Sequence, residues 1–97
     1  MNRALHRLDL NLLVTLQILL SERSVTRAAK RLSVTPSAVS KSLTKLRHWF
    51  DDPLLVRSPQ DLLPTPLALA LAEELAELFQ LASSIVAKRN VEVPKGV

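Results

Sequence analysis

Cysteine is absent from the 97 residues, which excludes disulfides and thiolate metal sites. A core built from so short a chain is marginal without a disulfide, a metal or a partner chain. A partner chain is the stabiliser left to consider. Glycine is nearly absent, occurring only at 96, and the six prolines stand at 36, 53, 59, 64, 66 and 94. The stretches 8–33 and 67–93 therefore contain neither breaker and are expected to be helical. No run of apolar residues suits a bilayer. The stretch Leu8 to Leu20 is interrupted by Asp9, Asn11, Thr15 and Gln17 and is too short to span one. Nothing has the pattern of a targeting signal. No membrane partner and a cytoplasmic location are the expectations, and a chain without cysteine fits that reducing compartment.

Acid is missing from one long segment: no Asp or Glu lies between Arg23 and His48. The net charge is +4, but it is divided unevenly. Residues 1–57 carry ten Lys and Arg against four acids, and residues 58–97 carry three against five. A basic front half suggests a polyanion partner for that half, while charge alone is equally consistent with a solvated surface.

What is present is a sequence of capped helices. Asp9 is a suitable N-cap for a first helix over about 10–22, with Leu12, Leu13, Leu16, Leu19 and Leu20 on one face. Ser24 caps a short second helix that buries Val25, Ala28, Ala29 and Leu32 and ends near Ser33. Thr35 caps a third, with Pro36 at its first position, where a missing N–H costs nothing. Its inner face is expected to be Ala38, Val39, Leu43, Leu46, Trp49 and Phe50, and Asp51-Asp52-Pro53 to stop it. Leu54 to Arg57 reads as a short strand, Ser58 to Asp61 as a turn and Leu62-Leu63 as a return strand. Thr65 and Pro66 open a long fourth helix reaching about Lys88, and Val91 to Val97 reads as linker.

The spacing over 25–44 fits a helix-turn-helix. Ala29 falls where the two helices touch and a larger side chain would separate them, Val34 is expected to anchor the turn in the core, and Leu32, Val39 and Leu43 lock the helices together. The outward positions of the later helix are Ser37, Ser40, Lys41, Thr44 and Lys45, short polar or cationic groups suited to base edges and phosphates. An ordinary helical hairpin would tolerate acids on that face. His6 and His48 have no carboxylate cluster near them in sequence and the serines have no base to activate them, so no catalytic residue, metal site or cofactor is assigned and an enzyme is not expected.

Ser24-Val25-Thr26-Arg27-Ala28-Ala29, Leu32, Val34-Thr35-Pro36-Ser37-Ala38-Val39-Ser40, Leu43, Leu46-Arg47, Asp52-Pro53-Leu54, Val56-Arg57 and Leu63-Pro64-Thr65-Pro66 together resemble the N-terminal domain of LysR-type transcription regulators. The resemblance extends over 8–88. It implies sequence-specific binding of double-stranded DNA, with Thr35, Pro36 and Ser37 opening the recognition helix beside the major groove. Ser40 and Lys41 match the pair that reads base edges, Thr26 and Arg27 match backbone-phosphate contacts, and Arg57 matches a wing arginine that reaches phosphate or the minor groove. The chain departs from the family at two places: Pro36-Ser37 stands where many members have Gln-Pro, and Asp61 where the wing tip often has glycine. At that tip its charge would face phosphates.

The fold expected is all-α: a winged helix-turn-helix over 8–65, with a three-helix core and a short two-stranded wing, followed by a dimerisation helix over 66–89. In that helix Leu71, Leu75, Leu78, Ala82 and Ile85 recur at steps of four and three, as in a coiled coil, and Phe79 widens the apolar side. Leu12 to Leu20 and the winged core are expected to occupy one another, leaving that side for a second copy of the chain. The family also implies that 90–97 begin a hinge to a C-terminal domain, outside this sequence, that binds a small-molecule effector and permits higher oligomers. The alternative to a DNA reader is a winged-helix module that dimerises and binds protein only.

Overall fold

The computed structural model describes residues 7–90. Its elements are α1 (Leu10–Glu22), α2 (Val25–Leu32), α3 (Pro36–Phe50), β1 (Leu55–Arg57), β2 (Leu62–Pro64) and α4 (Pro66–Ala87), closed by a 3-10 turn over Lys88–Asn90. Each helix begins at the residue whose side chain can hold its free amides. Asp9 accepts from the Asn11 amide at 2.9 Å, Ser24 from Arg27 at 3.2 Å, Thr35 from Ala38 at 3.2 Å and Thr65 from Ala68 at 3.2 Å. α1, α2 and α3 end on Arg23, Ser33 and Asp51, all left-handed although none is glycine.

The three short helices form the head of the molecule. Leu19, Ala28, Ala29, Val39, Leu43 and Leu55 make one buried cluster, with Val25, Leu32 and Leu62 packed against it. Ala28 and Ala29 are buried because α2 presses its small face onto α1 and α3. The wing is an antiparallel pair in which Val56 faces Leu63 and Arg57 faces Leu62. It is tied to the head in two ways. The Leu62 amide donates to the Arg23 carbonyl at 3.1 Å, and Arg47 donates from Nε to the Pro53 carbonyl and from Nη2 to the Leu55 carbonyl, both at 2.8 Å.

Two side chains expected in the core are outside it. Val34 is 47% exposed: the turn is held by its backbone, whose amide donates to the Ala29 carbonyl at 3.0 Å, and not by its side chain. Trp49 is 40% exposed, because Val39, Leu43, Leu46 and Phe50 already define the inward stripe of α3 and residue 49 turns about 100° away from Phe50. Asp52 does more than stop a helix. Its carboxylate accepts from the Leu54 amide and from the Thr65 hydroxyl, each at 2.7 Å, and holds the buried Leu54 at φ 63. The start of the wing and the start of α4 are knotted there, with the Thr65 amide on the Leu54 carbonyl at 2.9 Å.

α4 corrects the expectation that its apolar side is left wholly for a partner. Its first half packs on α1, where Leu75 (5% exposed) and Ala68 join Leu16, Leu46 and Leu54 in a second buried cluster, flanked by Leu71 and Phe79. Leu78, Leu81 and Ile85 remain exposed. The helix of 22 residues is about 33 Å long, and it projects from a molecule measuring 57 × 30 × 22 Å. His6 and the linker expected at 91–97 lie outside the described residues.

Candidate nucleic-acid interface

The helix period separates the two faces of α3. Val39, Leu43 and Leu46 point into the head, so Ser37, Lys41 and Thr44 point away from it, and all three are exposed. Thr35 and Pro36 start the helix and are exposed as well; the Thr35 oxygen already caps Ala38 and lies 3.4 Å from the Ser37 hydroxyl. Ser40 turns toward the wing. Lys45 turns to the opposite flank, where it lines a hollow with Arg7, Asp9, Thr44, His48 and Trp49.

Between the wing and the start of α2 lies a polar cleft of about 430 Å³. Thr26, Ser40 and Arg57 line it together, although 31 positions separate the first from the last. The cleft also takes in Arg23, Ser24, Ser58 and Gln60. No spacing in the sequence marks these residues as a site, because tertiary contacts, among them the Leu62–Arg23 backbone bond, bring 58–62 beside 23–26. Among the described residues no carboxylate lies within ion-pair distance of Arg23, Lys41, Lys45 or Arg57.

Arg27 is placed differently from its expected role. Its Nη2 donates to the Glu22 carbonyl at 2.6 Å and to Asp61 Oδ1 at 3.2 Å, and its Nε is 3.6 Å from the Glu22 carboxylate. Arg31 reaches the same Glu22 carboxylate at 3.0 Å. Asp61 is therefore directed toward α2, and its charge is matched within the chain.

Helix, turn, helix and wing in this order can be compared with known proteins. Residues 10–69 match the family described as bacterial regulatory helix-turn-helix protein, lysR family. The chain belongs to that family. The LysR-family chain is similar over 99% of its length to a probable transcriptional regulator, PA0477, from Pseudomonas aeruginosa, at 33% identity and a TM-score of 0.87. It is similar over 86% to a mutant of OxyR from Corynebacterium glutamicum, at 23% identity and a TM-score of 0.78. It spans only 32% of the first and 27% of the second. A third likeness is to the DNA-binding domain of BenM, solved in complex with DNA from a catB site; 90% of this chain covers 100% of that one at 21% identity and a TM-score of 0.80. The last two likenesses speak for the fold. Among the described residues no helix is long and apolar enough to cross a membrane.

Proposed function

We propose that this LysR-family domain binds double-stranded DNA in a sequence-specific way and so regulates transcription in the cytoplasm, with no catalytic step of its own. The observation that carries the reading is the outer side of α3, which bears no acid, beside a wing cleft whose one acid, Asp61, is paired with Arg27: Ser37, Ser40, Lys41, Lys45 and Arg57 are all exposed. Such a face offers cations to phosphates and short polar groups to base edges. The BenM domain, which shares the fold, was solved with DNA. On this reading α3 enters the major groove, Ser40 and Lys41 read bases, Thr26 and Arg57 contact the backbone, and Thr35, Pro36 and Ser37 position the helix start. The finer likeness, to the enterobacterial regulator YidZ, is also proposed, supported by Leu8 to Leu13 and Val34 to Leu46.

The same reading makes the domain a homodimer through α4, with 8–65 as the head and 66–89 as the pairing helix. Leu67, Leu78, Leu81 and Ile85 are exposed on it and support this, whereas Leu75 belongs to the chain's own core. Effector binding and higher oligomers would belong to a further domain of a longer protein. Selection of bound fragments from bulk genomic DNA, followed by fluorescence anisotropy on the selected site and on random duplex at two salt concentrations, tests the proposal. A preference for the selected site of about 10³ or more is expected. Equal binding to both duplexes would reduce the domain to a nonspecific binder, and no binding even at low salt would favour a protein-interaction module.

A further inference from the structure

We propose that Asp61 is a positioning residue for DNA binding: its carboxylate holds the Arg27 guanidinium against the wing turn and masks that cation from phosphate. The inference rests on the DNA-binding reading and adds a built-in competitor to it. Four observations carry it.

The first is the pair itself. Arg27 Nη2 lies 3.2 Å from Asp61 Oδ1 and 3.5 Å from Oδ2, across 34 positions of sequence. The second is that the backbone carrying the carboxylate is fixed. The Ser58 amide and hydroxyl both donate to the Asp61 carbonyl, at 2.8 and 2.6 Å, and the Asp61 amide donates to the Ser58 hydroxyl oxygen at 3.1 Å. One residue on, Leu62 is bonded to the Arg23 carbonyl. The turn is thus closed on itself and fastened to the α1–α2 corner, which places the backbone of residue 61 beside Arg27.

The third observation is charge balance. Glu22 and Asp61 stand against Arg27 and Arg31, which leaves this quartet neutral. The fourth is location: Asp61 lines the same cleft as Arg23, Thr26, Ser40 and Arg57. A phosphate entering that cleft meets cations at 23 and 57 that have no carboxylate partner among the described residues, and beside the cleft, on the far side of Asp61, a cation at 27 that already has one. Both members of the Arg27–Asp61 pair are well exposed, with 55% and 42% of the side chain accessible. Exposed pairs contribute little to folding stability, so the consequence of the contact falls on binding. Glu22 holds the other side of the guanidinium, so Asp61 is the partner on the wing side that a polyanion approaching from the cleft must displace to use Arg27.

Asp61→Asn removes the charge and leaves the turn intact, because the turn's bonds to residue 61 are all to its backbone. Measured by anisotropy on the selected site and on random duplex, it is expected to tighten both and to steepen the salt slope by about one phosphate contact, so that the gain shrinks about three- to fourfold between about 50 and 200 mM salt. In an Arg27→Ala background the same substitution is expected to change affinity less than about twofold, because the masked cation is gone; each variant is checked for fold by circular dichroism. An equal gain in both backgrounds would overturn the proposal, since Asp61 would then repel phosphate by its own charge. Absence of any gain in the Arg27 background would overturn it too, since Arg27 would then not be a latent phosphate contact. Failure of the parent chain to bind any duplex is a separate result and would remove the DNA-binding reading itself.

Discussion

Lys41 stands on the outer side of α3, one turn beyond Ser37, with no carboxylate near it among the described residues. A lysine so placed can either read a base edge or hold a phosphate, and substitution separates the two. If it reads bases, Lys41→Ala costs about 1–3 kcal/mol on the selected site and much less on random duplex. Equal losses on both would make it a phosphate contact only. Arg57 is at the end of β1, opposite Leu62, and opens into the cleft. There it is in position for the backbone or the minor groove, so Arg57→Ala should weaken binding across sequences and lower the salt slope by about one unit. An unaltered slope in a salt titration would take Arg57 off the DNA. Arg27, which the family resemblance also assigns to phosphate, has two carboxylates beside it.

At the scale of elements, the helices were legible because each is marked at its start by a residue type with a physical task. Asp9, Ser24, Thr35 and Thr65 all accept from a free amide as their types suggest. The wing was legible from its turn and flanking apolar pairs. Its attachment was not, because Arg47, Asp52 and Leu54 act through bonds to backbone that no periodicity announces. Thr65 has two duties, capping α4 through the Ala68 amide and donating to Asp52. Thr65→Ala is therefore expected to cost at least the roughly 0.5–2 kcal/mol of a lost cap, with a further loss for the Asp52 oxygen left short of a partner. Urea unfolding should show the midpoint falling with the slope unaltered. A midpoint equal to that of the parent would mean that the knot between wing and α4 bears no load.

For the whole molecule, the question is what covers α4. The alternating steps of Leu71, Leu75, Leu78, Ala82 and Ile85 suggested a single seam, but the structure divides it: Leu75 is buried in the chain's own core, while Ile85 is 63% exposed beyond the head. Leu67, Leu78 and Ile85 fall within one narrow stripe of the helix, at spacings of eleven and seven, and Leu81 lies at its margin. A stripe of this kind on a projecting helix is the surface a second copy would bury. Leu78→Glu should leave the head folded, since Leu78 is 44% exposed, but should place a charge in the pairing surface. Sedimentation is then expected to show monomer where the parent chain shows dimer. DNA affinity should fall by more than one contact explains, because linkage of two heads is lost. A parent chain that sediments as monomer at high micromolar concentration would remove the dimer and the placement of two heads on one site.

The sequence by itself determined what depends on local rules: where each helix begins, that α3 has one apolar and one acid-free face, and that small residues at 28 and 29 allow two helices to meet. Caps and periodicity act over a few residues, so they can be read along the chain. Tertiary structure alone decided which of several apolar or charged candidates is used. Val34 and Trp49 are outside the core because other residues fill it first. Leu75 is inside because α1 presents Leu16 to it. Arg27 is bound to Asp61 because a backbone bond from Leu62 to Arg23 carries the wing turn back to α2. Each of these outcomes is a competition between partners far apart in sequence, and only the folded chain sets the distances that resolve it.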